Sequence, residues 1–274
     1  MPSLPATVDH PVVLRELEVL RVTDISPRMR RITFGGAQLG AFSRDGLHLP
    51  AFVTAAPDDH VKVFFARNGQ REPVLPRQDD GHLDWPHDGP RPIHRDYTVR
   101  RFDAAVCELD LDFVRHERGA ASKWAERATP GMRLHITGPP RSQIVPDGVD
   151  WYLLIGDETA LPAIGRWLEE LPADAAATTI IEVADAAEEQ PIQTAANIRW
   201  LHRDGADAGT NQLETAVRAL VFPSDNVYVW GAGETGIMRP IRRYLRTERG
   251  LPKERVALTG YWKQAPAATV AGRA

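Results

Sequence analysis

The stretch that decides the fold is WYLLIGDETALPAI, residues 151–164, where an unbroken apolar run meets a Gly-Asp-Glu-Thr turn. A short apolar run of this kind is typical of a strand that is buried on both faces of a parallel sheet. The residues after the turn follow a helical period, with an apolar face made of Leu161, Ile164, Leu168 and Leu171. The stretch therefore predicts the first strand–turn–helix unit of an α/β domain.

The same alternation of strand and helix continues to residue 262. Helical patterns occur around 211–221 and 236–249. Strand patterns lie between and beside them, at TTIIEVA (178–184), NIRWLH (197–202), VYVW (227–230) and RVALTGYW (255–262). Alternating strands and helices predict a parallel sheet with right-handed crossovers. We therefore expect a C-terminal α/β parallel-sheet domain over residues 149–274, ending in an Ala-rich tail.

The residues before 149 have the pattern of short antiparallel strands. Six segments carry this pattern, several of them separated by Gly, Pro and Asp: VVLRELEVLRV (12–22), MRRITF (29–34), HVKVFF (60–65), DYTVRRF (96–102), AVCELDLDFV (105–114) and RLHIT (133–137). One helix candidate, 122–128, interrupts them. Six such strands predict an N-terminal antiparallel six-stranded β-barrel domain over residues 1–148.

Composition narrows the classes of function. A net charge of −4 over 274 residues does not suggest nucleic-acid binding, which favours a strongly basic face. The single cysteine, Cys107, excludes an internal disulfide and a cysteine-ligated iron–sulfur cluster. No cluster of His, Cys, Asp or Glu has metal-ligand spacing, so no metal site is expected. Without a signal-peptide pattern or an apolar run of ~18–20 residues, a cytoplasmic monomer without membrane contact is expected.

The segment HRDYTVR, residues 94–100, places two arginines around a Tyr-Thr pair on a predicted strand. Alternation would point Arg95, Tyr97 and Val99 to one side and Thr98 and Arg100 to the other. This pattern indicates either a solvated sheet edge or a grip on a flat, anionic ligand. The segment GAAS, 119–122, precedes the helix candidate and offers free backbone N–H groups to a phosphate, although a simple capped helix explains it equally well.

Two strand-to-helix turns have similar sequences, GDETA (156–160) and GAGE (231–234). In an open parallel sheet, ligands bind beyond the carboxyl ends of the strands, where these turns lie. Their glycines allow close approach of another molecule, and Thr159 and Thr235 are predicted helix N-caps. Neither turn is a G-x-G-x-x-G fingerprint, so each by itself is also an ordinary βα turn.

Taken together, these segments resemble the siderophore-interacting proteins, the FAD-dependent ferric-siderophore reductases of the wider ferredoxin-reductase-like superfamily. The similar blocks occur in the same order through both predicted domains: DDHVKVFF (58–65), RDYTVRRFD (95–103), LDFVRHERGAASKWAERATPGMRLHITGP (111–139), WYLLIGDETALPAIGRWLEELP (151–172), VYVWGAGE (227–234) and RRYLRTERGLPKERVALTGYW (242–262). The resemblance implies that the barrel binds FAD and that the α/β domain binds NADPH or NADH.

The resemblance also implies roles for residues of the barrel. In the R-x-Y-T-x-R signature, Arg95 and Arg100 would bind the FAD phosphates. Tyr97 would stack on the isoalloxazine ring, and Thr98 would form a hydrogen bond near flavin N5. Val99 would belong to the same cofactor-binding strand. Tyr97 and Thr98 are thus the implied catalytic residues. A second family segment matches His116, Gly119, Ala120, Ala121, Ser122 and Trp124. The chain departs from the family pattern at Glu117-Arg118 and at Pro140-Arg141, which puts the local approach to the cofactor in question.

In the α/β domain, the resemblance implies that both turns line the nicotinamide nucleotide site, through Gly156, Asp157, Glu158, Thr159, Gly231, Gly233 and Glu234. The C-terminal Tyr261 and Trp262 would lie close to the flavin region. Arg199 and Arg203 lie near the third strand, where a 2′-phosphate would be recognised, which favours NADPH weakly. NADH and a ferredoxin stay open as electron donors.

A hydride donor gives two electrons at once, whereas Fe(III) accepts one, and a flavin bridges this mismatch. The resemblance therefore implies a reductase that passes electrons from NAD(P)H through FAD to a ferric siderophore and so releases Fe(II). Cations attract an anionic chelate, and the candidates are Lys62, Arg242, Arg243 and Lys263. Two alternatives remain: a general flavin or ferric reductase with another acceptor, and a siderophore-binding or redox-sensing flavoprotein without useful turnover.

Overall fold

The computed structural model describes residues 6–116, 119–206 and 211–264. The predicted tail after Gln264 and the departure at Glu117-Arg118 lie outside them. In the first half of the chain, the strands and the helix are β1 (Thr7–Asp9), β2 (Leu14–Ser26), β3 (Met29–Gly35), β4 (Phe42–Arg44), β5 (Leu47–Leu49), β6 (His60–Phe65), β7 (Arg77–Gln78), β8 (Leu83–Asp84), β9 (Ile93–Asp103), β10 (Glu108–Val114), α1 (Ala120–Arg127), β11 (Arg133–Thr137) and β12 (Arg141–Gln143).

Six of these strands close into an antiparallel barrel in the order β10-β3-β2-β11-β6-β9, which confirms the predicted six-stranded barrel. The predicted strand over 105–114 begins later, at Glu108. The side chain of Asp103 accepts a hydrogen bond from the Ala105 N–H at 3.0 Å, which turns the chain before β10. Cys107 ends that turn with a φ of 51°.

Alternation fills the barrel core from one side of each strand. On β10, Leu109, Leu111 and Phe113 are fully buried in that core. The intervening Asp110 and Asp112 face away from it and are nevertheless buried. Because buried carboxylates need partners, Asp110 accepts hydrogen bonds from Thr33 and Arg101, and Asp112 pairs with Arg31 at 2.7 and 2.8 Å.

Strand β9 carries a bulge at Arg100. Val99 pairs with Leu111, whereas Arg101 pairs with Asp110, so Arg100 is the extra residue. A bulge shifts the alternation of side chains by one residue. Val99 and Phe102 therefore both contact the barrel core, although an even strand would point them to opposite faces.

The second half contains β13 (Trp151–Asp157), α2 (Leu161–Glu170), β14 (Ala177–Val183), β15 (Asn197–His202), α3 (Gln212–Arg218), β16 (Val227–Glu234), α4 (Thr235–Arg243) and β17 (Val256–Trp262). The strands form a parallel sheet in the order β15-β14-β13-β16-β17, which confirms the predicted architecture. Every residue of β13 is buried, as its apolar run predicts. The helix predicted over 236–249 ends at Arg243 and continues as a π-helical turn, Tyr244–Glu248.

The chain divides into two compact units. The barrel unit comprises Met1–Val149, Pro162–Asp174 and Ala187–Ala195; the sheet unit comprises Asp150–Leu161, Ala175–Ala186 and Ala196–Ala274. Polar contacts explain the two later segments of the barrel unit, because Arg166 donates to the Val99 carbonyl at 2.9 Å and Glu188 accepts from Ser26 at 2.6 Å. A single boundary between residues 148 and 149 stays a prediction. Within the described residues, no helix has the length and apolar character that a membrane crossing requires.

Candidate functional site

The strand β9 carries Tyr97 and Arg95, which pair with Val61 and Val63 of β6. The Tyr97 ring packs on Phe113 with 4.2 Å between ring centroids. Burial raises the pKa of Tyr97 far above its usual range, so the phenol stays neutral. Arg95 is exposed and donates to the adjacent His94 carbonyl at 2.7 Å. An apolar ring beside an exposed guanidinium fits a ligand that is both flat and anionic.

Arg100 has a different environment from Arg95. Its guanidinium makes a two-pronged ion pair with Glu169 of α2, at 2.6 and 2.8 Å. The guanidinium also packs against Gly165, where an added Cβ would lie only 3.2 Å away. Arg100 is therefore already paired inside the barrel unit. Of the two arginines predicted to bind phosphate, Arg95 is the one whose side chain is exposed. Thr98 is buried and pairs across strands with His60.

The side chain of Ser122, near the start of α1, is bonded to the backbone of His116. The Ser122 hydroxyl donates to the His116 carbonyl at 2.7 Å and accepts from the His116 N–H at 2.9 Å. Gly119 has a φ of 113°, and a Cβ there would lie 3.2 Å from the His116 ring. Only glycine suits this position. His116, Gly119 and Ser122 thus set the direction in which α1 starts, at Ala120 and Ala121.

Trp124 packs into the barrel core rather than lying on its own at the surface. Its ring stacks on Phe34 with centroids 6.2 Å apart and lies 5.9 Å from Phe113. Tyr97, Phe113 and Trp124 therefore form one continuous aromatic row. This row joins the predicted flavin strand to α1, so that the two predicted cofactor segments are held in a defined relation.

Asp59 is an organising residue that sequence reasoning missed. One of its carboxylate oxygens accepts hydrogen bonds from Ser142, Thr54 and the backbone N–H groups of residues 55 and 56, at 2.7–3.1 Å. Within the described residues, the other Asp59 oxygen and the Thr137 hydroxyl are buried without a partner. Buried polar atoms normally have partners. The residues DDH at 58–60 belong to one of the sequence blocks that resemble the family, but nothing in the sequence indicated the role of Asp59.

These features of the barrel unit fit FAD. The ring of Tyr97 suits a flavin face, Arg95 and the N-terminus of α1 suit phosphates, and unpartnered polar atoms suit a heteroaromatic edge. At the departure Pro140-Arg141, Arg141 pairs with Asp9 at 2.6 Å, and the Pro140 ring lies close to Gly138.

In the sheet unit, charged residues gather at the carboxyl ends of the parallel strands. A small cavity there is lined by Asp157, Glu182, Arg203, Leu213, Glu234, Ile237, Met238 and Trp262. These side chains come from four of the five strands, from Arg203 directly after β15, and from the first turns of two helices. This is the edge where ligands bind in open α/β sheets.

Asp157 connects three segments of this edge. One carboxylate oxygen accepts from the Thr159 N–H and hydroxyl at 2.8 and 2.5 Å. The other accepts from the Glu234 N–H at 2.9 Å and from the Trp262 indole N–H at 2.8 Å. Burial, reinforced by the charge of Glu158, raises the pKa of Asp157 to about 6 despite these hydrogen bonds.

The glycines of the GAGE turn make room for the protein's own atoms. A Cβ on Gly233 would lie 2.7 Å from the Asp157 carboxylate, and one on Gly231 would lie 2.5 Å from the Ile155 carbonyl oxygen. The space beside these two glycines is therefore occupied by Asp157 and Ile155, and the predicted close approach of another molecule does not by itself explain why glycine is present. Gly156 lies in the buried strand β13, and Thr159 donates to Asp157 in the first turn. The prediction of Thr159 as an N-cap is wrong, because α2 begins two residues later, at Leu161, and the Thr159 hydroxyl donates to Asp157.

Glu234, not Thr235, is the N-cap of α4. Its carboxylate accepts from the Ile237 N–H at 3.1 Å and from the Gln264 N–H at 3.0 Å. The prediction of Thr235 as the cap is wrong because Thr235 is already the first helical residue, and its hydroxyl donates to the Trp262 carbonyl at 2.8 Å. Tyr261, one residue earlier on β17, is exposed.

Glu158, which is partly exposed, and the buried Arg203 form an ion pair at the same edge. Two Glu158 oxygens receive Arg203 N–H groups at 2.6 and 2.9 Å, and Glu182 lies 3.3 Å from the guanidinium. Burial lowers the pKa of Arg203, but the hydrogen bonds and charges of these two carboxylates outweigh it and raise the pKa overall. Arg199 is exposed within β15, away from this pair in sequence.

The four predicted substrate cations are divided between the units. Lys62 belongs to the barrel unit and pairs with Asp96 at 2.8 Å. In the sheet unit, Arg243 and Lys263 are exposed, whereas Arg242 donates to the Leu258 carbonyl. Among the described residues, no group of three or more His, Cys, Asp or Glu side chains is arranged to hold a metal ion.

Comparison with known proteins gives consistent results over both units. Residues 18–143 match the family model of the siderophore-interacting FAD-binding domain, and residues 149–265 match that of the siderophore-interacting protein. The NADPH-dependent ferric-chelate reductase of Escherichia coli (strain K12) is 34% identical over 266 residues, covering 95% of this chain and 97% of that protein. The ferric vibriobactin reductase of Vibrio cholerae is 30% identical, covering 91% of this chain and 89% of that protein.

A crystal structure of a siderophore utilization protein from T. fusca superposes with a TM-score of 0.85 at 42% identity. The superposition covers 96% of this chain and 97% of that one. The similarity thus extends over the barrel, the parallel sheet and their order in the sequence. The chain belongs to the siderophore-interacting protein family, with an FAD-binding barrel followed by a nicotinamide-nucleotide-binding α/β domain.

Proposed function

We propose that this chain passes electrons from NADPH or NADH through FAD to the Fe(III) of a siderophore, which then releases Fe(II). The observation that carries the proposal is the similarity, over nearly the whole of both chains, to a protein named as an NADPH-dependent ferric-chelate reductase. The relative named as a ferric vibriobactin reductase supports the same chemistry.

In the barrel unit, Arg95 and the first N–H groups of α1 would hold the FAD phosphates, and Tyr97 would hold the flavin ring. Bound FAD supplies the conversion between a two-electron hydride donor and a one-electron acceptor. The protein's part is to orient this group: the Tyr97–Phe113 contact fixes the ring platform, and the Ser122–His116 pair fixes where α1 begins. The buried Thr98 hydroxyl is the proposed hydrogen-bonding group near the reactive nitrogen.

In the sheet unit, the turns at 156–160 and 231–234 would hold the nicotinamide coenzyme. Asp157 ties the two turns together through the Thr159 and Glu234 N–H groups, so their relative position does not depend on a ligand. Trp262 joins the same network through its indole N–H. A site that is fixed before binding loses less entropy when the coenzyme binds.

The ferric chelate is the substrate in this proposal, and its own oxygen ligands hold the iron. Reduction to Fe(II) weakens ligation by hard oxygen ligands, so the protein does not need to provide an iron ligand. Exposed cations, namely Arg243 and Lys263, together with Lys62, are the proposed attractants for an anionic chelate. We further propose that the chain works as a monomer in the cytoplasm, and that a ferredoxin is an alternative electron donor.

An anaerobic titration tests the proposal. The flavin spectrum of the purified protein is recorded, NADH or NADPH is added, and a ferric siderophore follows in the presence of an Fe(II) trap. We expect the flavin band to bleach with the coenzyme and to recover as the Fe(II) complex appears. Bleaching without Fe(II) would favour a general flavin reductase with another acceptor. No bleaching with either coenzyme would favour a binding or sensing flavoprotein, and a protein that cannot be loaded with FAD would refute the proposal.

A further inference from the structure

The ion pair between Glu158 and Arg203 lies where coenzymes are distinguished. Glu158 follows β13 directly, Glu182 is near the end of β14, and Arg203 follows β15. In nucleotide-binding α/β sheets, this edge recognises the adenosine ribose: an acidic side chain binds its 2′-hydroxyl, and an arginine binds a 2′-phosphate. This chain has both kinds of residue at one place, and they are bonded to each other.

The geometry of the pair matches the geometry of a bound phosphate. Arg203 presents two N–H groups to two Glu158 oxygens, at 2.6 and 2.9 Å. Arginine binds carboxylates and phosphates through the same two-pronged arrangement. Glu158 therefore occupies the side of the guanidinium that a 2′-phosphate would need, and the two cannot both be bound there.

Of the two carboxylates that contact Arg203, Glu158 is the one that a ligand can displace. The Glu158 side chain is 19% exposed, whereas that of Glu182 is 4% exposed. Glu182 is also the more distant partner, at 3.3 Å. Moreover, two carboxylates beside one guanidinium leave an excess of negative charge, which opposes the approach of a dianionic phosphate.

We propose that Glu158 is a specificity-determining residue that competes with the coenzyme's 2′-phosphate for Arg203 and so lowers the preference for NADPH over NADH. The inference rests on the proposed function, because it assumes a nicotinamide coenzyme at this edge. Glu158 acts as an internal substitute for the phosphate, and the coenzyme without a 2′-phosphate leaves the pair intact.

Calorimetric binding of ADP-ribose and of 2′-phospho-ADP-ribose to the FAD-loaded protein tests this directly, without turnover. For Glu158→Gln, we expect the affinity for 2′-phospho-ADP-ribose to increase about tenfold relative to that for ADP-ribose, because a neutral amide accepts from the guanidinium through one atom only and without the attraction of opposite charges. Adding Arg203→Gln to this variant should remove the gain. Glu254→Gln is the matched control, since Glu254 precedes β17 at the opposite end of the sheet.

An unchanged ratio of the two affinities in Glu158→Gln, with ADP-ribose still bound, would overturn the inference alone. If neither ADP-ribose nor 2′-phospho-ADP-ribose binds to the wild type or to Glu158→Gln, the inference is overturned together with the nucleotide part of the proposed function. If Glu158→Gln does not fold, Glu158→Asp serves instead. Its shorter side chain keeps the charge but weakens the two-pronged contact, so it must raise the same ratio by a smaller factor.

Discussion

Replacing Asp157 with asparagine should remove a specific pH dependence from the stability of the sheet unit. Burial and the neighbouring Glu158 raise the pKa of the Asp157 carboxyl from 3.8 to about 6. Between these two values the folded chain holds a proton that the unfolded chain has released. Asp157 therefore stabilises the fold most at low pH, and this contribution is lost as the pH rises through about 6.

The size of the effect follows from the two pKa values. The full difference corresponds to about 3 kcal/mol, at about 1.4 kcal/mol for each unit of pKa. Over an experimentally convenient interval, from pH 5 to pH 7.5, the linkage relation gives a loss of about 1.4 kcal/mol. Asparagine does not titrate, so the free energy of unfolding of the wild type minus that of Asp157→Asn should fall by this amount over the interval.

The absolute stability of Asp157→Asn is a poorer guide than this pH dependence. Four donors converge on the two carboxylate oxygens, and an amide can accept from only one side. Losing hydrogen bonds to a charged acceptor costs roughly 1.5–3 kcal/mol each, which is offset by relief of the buried charge. We therefore expect the variant to be no more stable than the wild type at pH 7.5.

Urea unfolding followed by far-UV circular dichroism, with saturating FAD at each pH, measures the difference. The transition to analyse is the one that Asp157→Asn shifts, since a chain of two units need not unfold in one step. Asp174→Asn is the matched control, because Asp174 is exposed. A wild-type minus variant difference that stays constant from pH 5 to pH 7.5, or that grows with pH, would refute the reasoning.

Further substitutions test the other contacts. Arg95→Ala and Tyr97→Ala should lower FAD retention on gel filtration, whereas Thr98→Ala should mainly change the flavin spectrum and the rate; normal FAD content and activity in all three would contradict the assignment. Gly233→Ala places a Cβ 2.7 Å from a buried carboxylate oxygen and should destabilise the fold by about 1–3 kcal/mol in a thermal melt, so an unchanged melting temperature would contradict this packing. Glu169→Gln should cost about 1 kcal/mol by breaking the ion pair with β9 while FAD retention stays normal, and loss of FAD would show that this pair supports the cofactor.

The sequence was a good guide wherever hydrophobic periodicity was undisturbed. The segments HVKVFF and NIRWLH form strands with the predicted limits, 60–65 and 197–202. The uninterrupted run at 151–155 lies in a fully buried central strand, as its composition requires. In these segments the local pattern and the tertiary packing favour the same structure, so the pattern alone is sufficient.

Where the prediction was inaccurate, either a side chain competed with the backbone pattern or strand pairing shifted the register. The apolar residues at 105–107 continue the strand pattern, but the Asp103 carboxylate binds the Ala105 N–H and turns the chain. Thr235 is a typical cap residue, but the free N–H group of Ile237 donates to the Glu234 carboxylate instead. The bulge at Arg100 has no local signal, because it depends on how β9 pairs with β10. Such competition is decided by contacts that a single sequence does not display.

The candidate nucleotide site shows the same limit more sharply. The sequence predicts that acidic residues gather at the carboxyl ends of the strands, but their partners are distant in sequence: Asp157 binds Trp262, 105 positions away, and Glu158 binds Arg203, 45 positions away. Asp157 is buried in bonds that connect the turns, so a ligand cannot take them without disturbing the edge of the sheet. The partly exposed pair of Glu158 and Arg203 can exchange one anion for another. Coenzyme choice should therefore respond to substitution at Glu158, while substitution at Asp157 should affect binding of both coenzymes alike.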